Sequence, residues 1–445
     1  MSLAATRALA RVAPRATRVA APRRAYTPAP ALFGAYDVLD PASALQAYPD
    51  PLDVPPSIPR PDYVPPNFFT APIWEHEAVE VDIEAPGERI KLGSRAEARV
   101  RKVAALAAEV LAEVGKLIKP GVTTAQLDAA AHALIVARGA YPSPLGYQHF
   151  PKSITTSVNN VIAHGIPDDR PLLPDDIVNV DLTLFHDGYH GDTSATFVLP
   201  EVDAKGRELV AATEEALELA IAACVPGRPF SDIGKVIEEF TKKHGLGINN
   251  QFSGHGIGKR FHQPPWIVHY RNSEHGRMQP GDCFTIEPAL TQGCKSRGTL
   301  WEDGWTVSTD VSVPWGAADV QSKARSAQFE HQVLITGDGV DKILVRGIIA
   351  KTMATRKDLY LLDGIVGCVD NHGNDRTSKK VAQILETLAA AFKLEKGAVS
   401  AGKAKGTVKR EGPAATTPPK KRRRVVKASV KTESQDESDE AEFTP

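Results

Sequence analysis

Five scattered residues have the chemistry to hold metal ions between them: Asp181, Asp192, His255, Glu287 and Glu330. The two aspartates sit in the run 177–199, IVNVDLTLFHDGYHGDTSATFVL, where Asp187 and Gly188 predict a two-residue hairpin turn. That turn sets His186 opposite Tyr189 and Thr183 opposite Asp192. Side chains alternate along a strand, so Asn179, Asp181 and Thr183 share one face while Val178, Val180, Leu182 and Leu184 share the other. Residues paired across a hairpin point the same way, so Asp192 joins Asp181, about 7–8 Å away at the backbone. His190, Ser194 and Thr196 belong to that face too. A solvated sheet face would account for one such aspartate. Two like charges on one face repel unless a cation or partner neutralises them, which favours a metal.

The remaining donors lie downstream. In FSGHGIGKRFHQPP, 252–265, glycines surround His255 and let the backbone approach closely, and His262 follows before two prolines. Glu287 stands in GDCFTIEPAL amid Phe284, Ile286 and Leu290, and Glu330 in the apolar run SAQFEHQVLIT. A carboxylate among such neighbours is costly to bury without a partner. Four carboxylates and one imidazole make an oxygen-rich set suited to two divalent ions such as Mn, Fe, Co or Zn. Such a centre lowers the pKa of bound water and makes it a nucleophile.

The elements that position these residues follow a repeated plan. Residues 95–118 have helical periodicity and strong helix formers, and Lys119, Pro120 and Gly121 stop the helix. Thr123 or Thr124 can cap a second helix ending near Gly139. The same order recurs at 203–245: a helix, Pro226 and Gly227, then a second helix capped by Ser231 and ending at His244 and Gly245. Strand-like sequence follows each copy, which predicts two related α+β halves around a shared centre.

With these motifs in hand, the chain resembles a type I methionine aminopeptidase of the mitochondrial kind, in the pita-bread or creatinase-like family. The likeness covers about residues 85–340. It rests on YPSPLGYQHFPKSITTSVNNVIAHGIPD, VNVDLTLFHDGYHGDTSATF, SGHGIGKRFHQPP, FTIEPAL, WEDGWTVSTD and SAQFEHQVLIT. It implies an α+β pita-bread fold, two pseudo-symmetric halves around a central antiparallel sheet. By the same likeness Asp181 chelates one ion, Asp192 and Glu330 bridge both, and His255 and Glu287 bind the other. The implied reaction is hydrolytic removal of an N-terminal methionine that precedes a small residue, by a water bridging two divalent cations, with Glu287 as proton shuttle. His164 is implied to sit near the scissile bond and His262 to contact the peptide carbonyl. Tyr147, Phe150, Phe261 and Trp305 are implied to line the methionine pocket. Two departures stand out: Pro144 and Thr155 where many relatives have cysteines, and Asn160 where relatives often carry an acidic residue. The rivals are an Xaa-Pro peptidase of the same fold and a non-catalytic binding protein that kept the fold.

The ends of the chain are of another kind. Residues 1–36 contain six arginines and no acid, the composition of a mitochondrial or plastid transit peptide, with a processing neighbourhood near Arg23 and Arg24. A Pro-rich extended segment, 37–84, precedes the catalytic domain, 85–345. A small helical extension is expected over 350–400, and Met353 leaves open a joined reading frame. The tail, 401–445, reads as disordered, with a basic cluster, Lys420 to Arg424, that resembles a nuclear signal and conflicts with a mitochondrial matrix address. Four cysteines without a CxxC pair exclude a cysteine zinc finger. No apolar run is long enough to insert in a bilayer, and a net charge of -1 gives the catalytic domain no reason to bind nucleic acid. The expected partners are N-termini of newly made polypeptides, and the expected state is a monomer.

Overall fold

Apolar spacing and capping chemistry build four α-helices among the described residues. The computed structural model describes residues 33–43, 50–72, 75–77, 79–293, 297–309 and 323–342. Helix α1, Arg95–Leu117, buries Val100, Val103, Ala107, Val110, Leu111 and Val114 on one face, and the Ser94 side chain caps it by accepting the Ala96 N–H. Helix α2, Thr124–Ala137, opens with a capping box between Thr123 and Gln126. Helices α3, Ala204–Ala222, and α4, Ser231–His244, form the second pair. Gly139 and Gly245 follow α2 and α4 with φ of 68° and 65°, a left-handed turn that glycine adopts without strain.

One expectation is corrected here. Ser231 does not cap α4 but is its first residue. The cap position is Phe230, which has helical backbone angles and makes no side-chain cap hydrogen bond. The aspartate in the first turn, Asp232, is well placed against the helix dipole instead.

The helices cover a nine-stranded antiparallel sheet. Its main path runs Tyr141–Pro142, Ile177–His186, Tyr189–Val198, Glu330–Ile335, Cys283–Ile286, Gly254–Gly256 and Gln263–Ile267. Thr155–Val158 also pairs with Ile177–His186. The hairpin has the expected register, Thr183 opposite Asp192 and His186 opposite Tyr189. Asp187 and Gly188 both have positive φ, the backbone of a tight turn that suits twisted strands. Val178, Val180, Leu182 and Leu184 are fully buried in the main core with α1. Gly191 lets α1 come close: a Cβ there would lie 2.6 Å from the Ala104 nitrogen and the Val103 carbonyl carbon.

Residues from 33 onward, some of them within the expected leader of 1–36, pack in the folded body. Phe33, Tyr36 and Val38 are buried together with Ala324. Among the described residues of 50–84, irregular backbone is broken by turns, with no strand and no α-helix, and Val64 and Phe68 pack on Tyr141 and Leu145. The expectations for 1–32 and for everything after 342, including the helical extension and the charged tail, lie outside the described residues. No helix among the described residues is long and apolar enough to cross a membrane.

Candidate metal centre

Strand register alone brings most of the donors together. Thr155, Asp181, Ser194 and Glu330 form one row across four neighbouring strands. Asp192 stands two residues from Ser194, so its side chain emerges on the same face. Ile286 pairs with His331, and the same register carried one step further brings Glu287 opposite Glu330. His255 arrives from the next strand, its N–H donating to Thr285 Oγ1 at 3.0 Å.

The donor atoms of Asp192, His255 and Glu330 all lie within 4.8 Å of one another. His255 Nε2 is 3.7 Å from Asp192 Oδ2 and 3.6 Å from Glu287 Oε1. Its Nδ1 is 3.1 Å from the Gly256 carbonyl oxygen. A carbonyl only accepts, so Nδ1 carries the proton and Nε2 turns its lone pair to the carboxylates. The surrounding side chains hold the acids in place. Thr183 donates to Asp192 Oδ1 at 2.6 Å, Thr285 to Glu287 Oε1 at 2.9 Å, and Gln328 to Glu287 Oε2 at 3.3 Å. The Glu287 N–H donates to His269 Nε2 at 3.1 Å.

No lysine or arginine faces these four acids among the described residues, and their proton affinities show it. Burial pushes the Asp192 carboxyl up to about 7, against the opposing hydrogen bonds from Thr183 and Thr193. Burial, then the Asp192 charge, raises Asp181 well above the carboxylate range. Glu287 and Glu330 rise for the same two reasons, with further repulsion from Asp181. Burial moves the imidazoles the other way, His255 down to about 4. Crowded acids and a neutral imidazole with its lone pair inward are a donor set that fits divalent cations.

The other expected site residues fall into two aromatic groups. Tyr147, Phe261 and His262 form one, with the His262 ring 4.0 Å from that of Phe261, 4.9 Å from that of Tyr147 and 4.2 Å from that of His255. His262 Nδ1 is buried with no hydrogen-bond partner. Phe150, Trp305 and His164 form the second, with the Trp305 ring 5.0 Å from Phe150 and 6.1 Å from His164. His164 has a φ of 59°, and burial pushes its imidazole down to about 4. His262 is driven well below its ordinary value by burial first, then by the His255, His164 and His190 rings.

Several neighbours escaped the sequence reading. Thr285 precedes Glu287 by two, and strand parity alone could have flagged it. Tyr63 comes from the Pro-rich segment, stacks 6.0 Å from His190, meets the Tyr147 ring edge-to-face at 5.0 Å, and donates to the Ser143 carbonyl at 2.7 Å. Nothing in its local sequence marks it, nor His269 and Gln328.

Known proteins agree with this architecture. The chain is 50% identical over 236 residues to methionine aminopeptidase 1D, chloroplastic/mitochondrial, of Arabidopsis thaliana, covering 53% of this chain and 64% of that protein, just under two thirds of its length. It is 44% identical over 306 residues to methionine aminopeptidase 1D, mitochondrial, of Mus musculus, covering 69% of this chain and 83% of that one. The crystal structure of methionine aminopeptidase from Rickettsia prowazekii superposes with a TM-score of 0.53 at 38% identity, over 57% of this chain and 99% of that one. The chain has the pita-bread fold. The profile of metallopeptidase family M24 matches residues 98–337, over half of the sequence, and the chain belongs to that family.

Proposed function

We propose that the protein is a methionine aminopeptidase that hydrolyses the first peptide bond of chains beginning with methionine and a small second residue. The observation that carries this reading is the convergence of four carboxylates and the His255 lone pair with no protein cation against them. Asp181, Asp192, His255, Glu287 and Glu330 hold two divalent cations, Mn, Fe, Co or Zn. Bound there, such ions supply Lewis acidity and lower the pKa of water.

The chain's own groups do the rest. Glu287, fixed at Oε1 by Thr285 and at Oε2 by Gln328, is the acid held in place to take and return the proton at its carboxylate oxygens. His262 and His164 stay neutral at pH 7, so each offers the substrate an N–H donor without adding charge to a crowded site. The partnerless Nδ1 of His262 supports a role at the peptide carbonyl. The rings of Tyr147, Phe150, Phe261 and Trp305 supply apolar walls for the methionine side chain. The substrates are newly made polypeptides, and the arginine-rich leader together with the mitochondrial names of the relatives supports work in the mitochondrial matrix, as a monomer.

The test is release of methionine from Met-Ala-Ser by the chain reconstituted with each divalent metal in turn. Turnover of Met-Ala-Ser, and its loss by about a thousand-fold or more in Asp192→Asn, is the expected result, since removing a metal ligand removes the largest electrostatic contribution. Hydrolysis of Xaa-Pro peptides alone, or an Asp192→Asn variant as active as its parent, overturns it.

A further inference from the structure

Residues 33–40 lie far from the metal ligands in sequence, yet they are tied into the turn that leads to His164. Arg325 is fully buried, paired with Asp203 at 2.7 Å and seated 4.0 Å over the Tyr36 ring. It donates to the Ala35 carbonyl at 3.0 Å, while the Ala35 N–H donates to Asp203 at 2.8 Å and the Tyr36 hydroxyl to the Lys323 carbonyl at 2.6 Å. Asp37 pairs with Arg170 at 3.0 Å. The segment then meets the turn Asn159, Asn160. Asn159 donates to the Asp37 carbonyl at 2.8 Å. Asn160 matches both backbone groups of Leu39, accepting its N–H at 2.8 Å and donating to its carbonyl at 2.9 Å. Both asparagine side chains are fully buried, and Leu39 packs on Val161 and Trp301.

That turn joins the strands Thr155–Val158 and Val161–Ala163, and His164 follows at once. The second of these strands pairs with Val307–Ser308, which begins two residues after Trp305. The Asn160 carbonyl also accepts the Thr309 N–H at 2.8 Å. One turn therefore governs the placement of both His164 and Trp305.

We propose that residues 33–40 form a strap that positions His164 and Trp305, and that Asn160 is the positioning residue through which it acts. An acidic side chain at 160 can accept the Leu39 N–H but cannot donate to the Leu39 carbonyl, and its charge repels that oxygen. Asparagine is thus the residue type the strap requires at 160. The kinetic part of this inference rests on the aminopeptidase reading.

The experiment uses the full chain carrying Asn160→Asp or, separately, Leu39→Pro, which removes the N–H from the strap side and leaves the turn untouched. Well below each variant's Tm, both are expected to lower kcat/KM on Met-Ala-Ser by about ten-fold or more, because small misplacements of orienting groups cost that much. Both are also expected to speed chymotrypsin cleavage after Tyr36 and amide exchange at 161–164. Faster cleavage with unchanged exchange at 161–164 and unchanged kcat and KM overturns the proposal, as does a pair of variants that match the parent in all three. A parent chain that releases no methionine sinks the aminopeptidase reading alone, since cleavage and exchange still report on the strap.

Discussion

At the residue scale, the question is what keeps four acids ready for cations rather than collapsed on each other. Thr285 does much of it, accepting from the His255 backbone and donating to Glu287. Thr285→Val keeps the shape and removes both bonds. It is expected to weaken activity or metal affinity ten- to a hundred-fold, roughly the usual cost of losing a group that orients a ligand. It is also expected to cost about 1–3 kcal/mol of stability, because the His255 N–H is left buried and unpaired. Metal titration by calorimetry and urea unfolding measure the two effects, and a variant with wild-type metal affinity and kcat would remove Thr285 from this role. Where sequence reasoning stopped is visible here too. Glu287 and Glu330 were readable as candidates because an acid in an apolar run is conspicuous, Asp181 and Asp192 because hairpin parity puts them on one face, and His255 because glycines surround it. Gln328 and His269 were not, since a neutral polar residue looks the same in sequence whether it faces a ligand or water.

At the element scale, the hairpin and α1 act as one unit. The strand register follows from two turn residues and an alternating pattern, so the facing of Asp181 and Asp192 was readable from sequence. The closeness of α1 was not. It depends on Gly191 having no Cβ, at 2.6 Å from helix backbone that cannot move independently. Gly191→Ala is expected to push α1 off the sheet and destabilise the fold by about 1–3 kcal/mol, the cost of overpacking a dense core. Equilibrium unfolding in urea checks it, and a loss under about 0.5 kcal/mol, within ordinary surface effects, would show that the helix yields freely. The Ser231 cap failed for a related reason. A serine beside a helix is a cap only if the preceding turn leaves it outside the helix, and here Phe230 already has helical angles.

At the scale of the whole molecule, the buried acids link stability to pH and to metal. Each carboxyl at the centre binds its proton more tightly folded than unfolded. Its contribution is therefore complete below the ordinary carboxylate range and is lost as pH rises through the folded value, about 7 for Asp192, with Asp181, Glu287 and Glu330 raised in the same direction. The buried histidines act in the opposite sense: neutral in the fold, they weaken it as pH falls below about 6.5, where the unfolded chain takes up protons. The two effects oppose each other in mild acid, and above about pH 7 the carboxyls act without the histidines. Metal-free protein is expected to lose stability as pH rises through about 7, by about 1 kcal/mol or a few degrees in Tm. Asp192→Asn should flatten that slope, and Mn or Co should raise Tm more at pH 9 than at pH 7. Thermal denaturation with and without chelator decides it, and a metal-free Tm that climbs from pH 7 to 9 would show that these acids are ionised without a cation.

The sequence by itself determined the hairpin register and the paired helices and singled out five candidate donors, because turn residues, strand parity and apolar spacing act over a few neighbours. Only the tertiary structure decided which side chains surround those donors and where residues 33–40 pack. Tyr63 reaches His190 across the fold, and Leu39 reaches Asn160 over more than a hundred residues of chain. Contacts of that kind depend on the packing of separate elements, and no local pattern encodes the distance between them.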